Sequence, residues 1–171
     1  MKIYELWKSV SNIPCYCLKI SNAFHSTTEE KWIFLTCRVH PGESNSSFIM
    51  EGILKQLLSS HEIIAKFTYY IIPILNPDGV YYGQYRWNMI GTDLNRIWNS
   101  PSKHFHPTIY FTKELLKQLQ NGDFYKEKEE LNHSQQDIKE TKKILRVNKY
   151  GNLFWKEMII FYFRIVSNPK F

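Results

Sequence analysis

Apolar residues gather along the chain in short, nearly unbroken runs, separated by polar stretches rich in serine, asparagine and charge. "CYCLKI" (15–20) reads as a short strand. "KWIFLTC" (31–37) reads as a second, with the continuous apolar content of a strand covered on both faces. The intervening "SNAFHSTTEE" is a polar loop. From Ser44 to Ser59, the spacing of Phe48, Ile49, Ile53, Leu54, Leu57 and Leu58 predicts an amphipathic helix on the sheet, after a Ser/Asn cluster suited to capping its first turn. "FTYYIIPIL" (67–75) is a β-branched and aromatic strand, and "NPDG" stops it as a turn. Strand, helix and strand in that order predict a right-handed βαβ crossover in an α/β sheet. Another helix is expected from about Thr108 to Gln120, with Pro107 near its first turn and Asn121-Gly122 as its stop.

The pattern changes after Gly122. Residues 123–152 carry dense charge of both signs and few large apolar side chains, as in a solvated or disordered insertion. Within 153–171, "MIIFYF" (158–163) is a candidate buried strand, followed by the tail "RIVSNPKF".

Composition narrows the class. The 171 residues are 43% hydrophobic and 16% aromatic, enough for one core. The net charge is +6, but the excess lysine is spread out rather than gathered into a block, which favours a solvated basic surface over a nucleic-acid partner. Three cysteines, and an N-terminus without an apolar signal-peptide core, point to a reducing, cytoplasmic setting. No apolar run approaches the roughly 18–20 residues of a membrane span. Cys15 and Cys17 share one face of their strand; without a second cysteine pair they read as small buried hydrophobes rather than zinc ligands.

The candidate chemistry lies where the strands end. "RVHPGESNSS" (38–47) follows the second strand and sets His40 and Glu43 around a Pro-Gly pair. The carboxyl edge of an α/β sheet is where such side chains open into a cleft. After the next strand, "YYGQYRWNMIGTDLNRIW" places Arg86, Asn95 and Arg96 in loops. Guanidinium groups capture carboxylates with two hydrogen bonds, and an asparagine amide adds a donor. A metal pair beside a carboxylate clamp points to a peptide C-terminus.

Over about residues 14–120, "RVHPGESNSSFIMEGILKQL", "IIPILNPDGVYYGQYRWNMIGTDLNR" and "HPTIYFTKELL" resemble, in order and spacing, the zinc metallocarboxypeptidases. The likeness is strongest to the cytosolic carboxypeptidases, which trim glutamates from tubulin and other proteins. The resemblance implies a carboxypeptidase-type α/β/α fold, a mixed sheet flanked by helices, with residues 1–122 as the N-terminal half of the catalytic domain and the C-terminal half missing. It implies one catalytic Zn2+ in a His₂Glu set like that of carboxypeptidase A, with His40 and Glu43 as two ligands on a turn shaped by Pro41 and Gly42. Arg86 would stabilise the carbonyl oxyanion, and Asn95 and Arg96 would hold the terminal carboxylate. Asp78 and Asp93 are expected to brace loops. The substrates implied are protein or peptide C-termini, with polyglutamylated tubulin among them.

The family's third ligand, a histidine in a segment like Asp-Leu-His-Gly-His-Ser, and its later glutamate base are not evident. His133 in "LNHSQQ" has no apolar strand leading into it. The expectation is that the reading frame diverges after Phe163, through a retained intron or an incomplete gene model. Without that ligand and base, these 171 residues alone are expected to be inactive although the family is enzymatic; the alternative is a catalytically inactive fragment acting as an interaction module.

Overall fold

The structure, a computed structural model, describes residues 1–21, 31–121 and the backbone of 164–166. The polar loop after Ser21, the charged segment 123–152, His133 and the apolar run 158–163 lie outside the described residues. Among the described residues, five strands form one sheet in the order β1-β2-β4-β3-β5, with β1 Lys2–Lys8, β2 Pro14–Ile20, β3 Trp32–Thr36, β4 Thr68–Ile72 and β5 Arg164–Val166. Strands β3 and β4 pair in parallel, while β1/β2, β2/β4 and β3/β5 pair antiparallel, so the sheet is mixed.

The apolar runs became the inner strands. All five residues of β4 are buried, and alternate side chains serve opposite faces: Tyr70 and Ile72 on one, Tyr69 and Ile71 on the other. Helix α1 (Asn45–Ser59) supplies Met50 and Leu57 to the face holding Leu18, Ile20 and Leu35. The short helix α2 (His61–Ile64) follows it. Helix α4 (Pro107–Asn121) supplies Ile109, Leu115 and Leu119 to the opposite face, beside Cys15, Cys17 and Phe34. Each fully buried aliphatic side chain contributes about 1.5–3 kcal/mol. Helices therefore flank both sides of the sheet.

Several local expectations change. Residues 2–8 form an edge strand that hairpins onto β2 through Asn12 at φ 64, closed by a Ser9 N–H to Ile13 O bond of 2.8 Å. "NPDG" opens helix α3 (Pro77–Tyr81) instead of a plain turn: Asn76 accepts from the Gly79 N–H and Pro77 sits in the first turn. Helix α1 receives no side-chain cap from Ser44; Ser46 Oγ instead donates to Glu43 O at 2.9 Å. Phe48, Ile49 and Leu58 are exposed, because the inward stripe of α1 runs through Ser46, Ser47, Met50, Ile53, Leu54 and Leu57, and these three fall off it. All three cysteines are buried free thiols.

Candidate active site

The site begins where the parallel pair β3/β4 ends. The ladder continues past both strands through Cys37 N–H to Ile72 O (3.0 Å), Leu75 N–H to Cys37 O (2.8 Å) and Asn76 N–H to Arg38 O (3.1 Å), so two loops leave the sheet side by side. Arg38 turns the first of them. Its backbone takes φ 58, and its buried guanidinium donates to Pro41 O and, at 3.0 Å, to Ser47 Oγ. The loop is thereby folded back onto the start of α1.

A third segment closes over these two. The Asn76 amide donates to Val39 O (3.3 Å) and Trp87 O (3.2 Å), and the Gly42 N–H donates to Tyr85 O (2.7 Å). Glycine is required at two of the crossings. A Cβ on Gly42 would collide with the Tyr85 ring, and one on Gly79 would meet Pro41 Cγ and, at 2.8 Å, Trp87 O. Asp78 ties α3 to the β1–β2 hairpin by accepting from Ser9 Oγ and, at 3.4 Å, from the Ser11 N–H.

This scaffold brings His40, Glu43 and Arg86 together around Asp93, which lies seven positions from Arg86 but 53 from His40. His40 is only 4% exposed. Its Nε2 is 2.9 Å from Asp93 Oδ1, and its Nδ1 is 3.2 Å from Glu43 Oε1. Arg86 Nε donates to Asp93 Oδ2 at 2.8 Å, and Arg86 Nη1 is 3.8 Å from Glu43 Oε1. Burial opposes a charge on Asp93, but hydrogen bonds from His40 and the Asn95 N–H, with the Arg86 guanidinium nearby, hold its carboxyl below the usual value.

An ionised Asp93 can only accept, so the His40 proton belongs on Nε2. The Nδ1 lone pair then faces the Glu43 carboxylate. Although the pair is 3.2 Å apart, Nδ1 makes no hydrogen bond and is buried. Two lone pairs that close repel unless a cation lies between them. Ligands about 2.0–2.1 Å from one tetrahedral zinc lie about 3.3 Å from each other. The spacing, the mixed nitrogen and oxygen donors and the carboxylate behind the histidine all fit such an ion. Among the described residues no group of three His, Cys, Asp or Glu side chains is placed to hold a metal. The cysteines take no part; burial pushes the Cys37 thiol up to about 12 and raises Cys15 as well.

Asn95 and Arg96 sit on a 3₁₀ turn, Leu94–Arg96, rather than in an irregular loop. Asp93 caps this turn by accepting the Asn95 N–H at 2.9 Å, which joins the turn to the His40 cluster through one carboxylate. Asn95 Oδ1 accepts from the Trp98 indole at 3.1 Å. Arg96 is exposed, with Nη1 3.5 Å from Asn95 O. The sequence reading gave Asp93 only a bracing role and passed over Arg38 and Trp98. Asp93 stands 53 positions from His40, and no local pattern announces that contact.

At the carboxyl edge of the parallel strand pair the chain thus sets a histidine and a glutamate 3.2 Å apart, with a carboxylate and an arginine beside them, an arrangement compatible with a metallopeptidase. The zinc carboxypeptidase family matches residues 1–155, and the chain belongs to that family. Among its relatives, cytosolic carboxypeptidase 6 of Homo sapiens is 40% identical over 138 residues, covering 75% of this chain and 25% of that protein. Cytosolic carboxypeptidase 6 of Caenorhabditis elegans is 51% identical over 97 residues, 54% of this chain and 21% of that protein. The chain thus spans a quarter or less of the length of these relatives. The crystal structure of a putative carboxypeptidase A from Shewanella denitrificans superposes with a TM-score of 0.63 at 31% identity, covering 68% of this chain and 32% of that one. The mixed sheet flanked by helices is therefore the carboxypeptidase fold in part.

Proposed function

We propose that the protein acts as a zinc-dependent carboxypeptidase that hydrolyses the last peptide bond of protein chains. The observation carrying this reading is the buried His40 ring, with one nitrogen held by Asp93 and the other turned, unbonded, toward Glu43. In this reading His40 Nδ1 and Glu43 hold the ion. When bound, zinc supplies Lewis acidity for polarising the scissile carbonyl and acidifying water. Asp93 keeps the Nε2 proton in place, so that Nδ1 stays a ligand.

Arg86, a third exposed and held by Asp93 and Glu43, donates to the carbonyl oxygen as negative charge develops there. Asn95 and Arg96 receive the terminal carboxylate. The family's third ligand and general base have no evident counterpart among the 171 residues. Terminal glutamates are the proposed leaving residues, and polyglutamylated tubulin the proposed substrate. The motif resemblance, the names of the cytosolic carboxypeptidase relatives and the net charge of +6 support this reading and a cytosolic location.

Two measurements test it. Competition with a chromogenic chelator should give one zinc per chain, weakened at least about tenfold by His40→Ala or Glu43→Gln. Protein isolated from cells carrying the native gene should release glutamate from a glutamate-terminated peptide, read by mass spectrometry. Zinc binding indifferent to both substitutions, or no release by the native protein, would refute the reading.

A further inference from the structure

The carboxylate clamp proposed above depends on which end of the Asn95 amide faces the substrate. An asparagine side chain carries an acceptor and a two-hydrogen donor of nearly equal size, and either can be turned outward. A substrate carboxylate needs the donor. The indole N–H of Trp98 can only donate, and it lies 3.1 Å from Asn95 Oδ1. The oxygen is thereby committed to Trp98 and the NH₂ group is left to face away from it. The Trp98 ring is itself held in place, partly buried against the core cluster that includes Leu94, Ile109 and Leu115. The backbone on the other side of the amide is pinned as well, since the Asn95 N–H is bound to Asp93 Oδ1 at 2.9 Å.

We infer that Trp98 is a specificity-determining positioning residue: by fixing the polarity of the Asn95 amide it makes the site select a free α-carboxylate over a C-terminal amide. Arg96 supplies charge to the clamp, and Trp98 supplies its hydrogen-bond sense. Without the indole donor, Asn95 is free to flip and present its oxygen to the ligand. That orientation repels a carboxylate and accepts from an α-amide. The role rests on the clamp reading of Asn95 and Arg96, and the test separates the two.

The test is ligand binding by the full chain, with N-acetylglutamate and its α-amide as probes. Binding is followed through the Asn95 side-chain NH₂ resonances and the Trp98 indole resonance of ¹⁵N-labelled protein. Wild type should bind the acid more tightly than the amide. Trp98→Phe should weaken acid binding about ten- to hundredfold, the scale of one hydrogen bond to a charged group, and leave amide binding unchanged or improved. A benzothiophene isostere of Trp98, with sulfur in place of N–H, keeps the ring's shape and should give the same loss of discrimination if Trp98→Phe disturbs packing. Equal selectivity in wild type and isostere overturns the role of Trp98 and leaves the clamp standing. Failure of wild type to prefer the acid overturns the clamp and the role of Trp98 with it.

Discussion

At the scale of single residues, the site is organised by a carboxylate whose two oxygens have separate duties. Asp93 Oδ1 serves His40 Nε2 and the Asn95 N–H, while Oδ2 serves Arg86. Replacing it with asparagine keeps the volume but removes the charge and allows an amide hydrogen to face His40. The ring could then move its proton to Nδ1, which is the atom facing Glu43. Asp93→Asn is expected to lower zinc affinity about 10- to 100-fold, measured by chelator competition, with little change in the urea midpoint. An unchanged affinity would mean that His40 is oriented by its burial alone. Local sequence marked His40, Glu43, Arg86, Asn95 and Arg96 because each lies within a short motif. Asp93 and Trp98 gain their roles from contacts that only the fold or the turn creates.

Legibility in the elements followed the strength of each periodic signal. Strands β3 and β4 were readable because burial on both faces leaves long apolar runs. Strand β1, "KIYELWK", was not: as an edge strand with no fully buried residue, it mixes charge with aromatics and shows no clean alternation. Helix α4 was readable from its spacing and its proline, but its entry loop was not. There, the Ser102 N–H donates to His106 Nδ1 at 3.1 Å, and the His106 N–H donates to Ser102 O at 2.8 Å. Burial lowers the His106 pKa below its ordinary 6.5, and protonation would also remove the acceptor that Ser102 uses. The folded pKa lies below the unfolded one, so the stabilisation is complete above pH 6.5 and is lost as pH falls through the folded value. The difference in urea midpoint between wild type and His106→Gln should therefore shrink or change sign between pH 7 and pH 5. A flat difference would show that Nδ1 is not the acceptor.

For the whole molecule, the order β1-β2-β4-β3-β5 determines how firmly the site is held. Strand β4 is bonded on both sides, by β2 and by β3, and every one of its residues is buried; among the described residues β1 pairs with β2 alone. The loops carrying His40 and Glu43 leave from β3, and the segment leading to Arg86 and Asp93 leaves from β4, so the proposed ligands rise from the inner parallel pair. A site that must keep two donors at 3.2 Å gains from being rooted there, because local opening costs most where a strand is paired and covered on both sides. Native-state hydrogen exchange can measure this directly. Amides of Thr68–Ile72 should exchange only through global unfolding, with denaturant dependence to match, whereas those of Lys2–Lys8 should exchange on the order of tenfold or more faster through partial opening. If β4 exchanged as readily as β1, the sheet would not be the site's anchor. Its geometry would then depend on the loop contacts of Arg38, Asn76 and Gly42 alone, and substitutions there should loosen zinc binding more than substitutions in the strands.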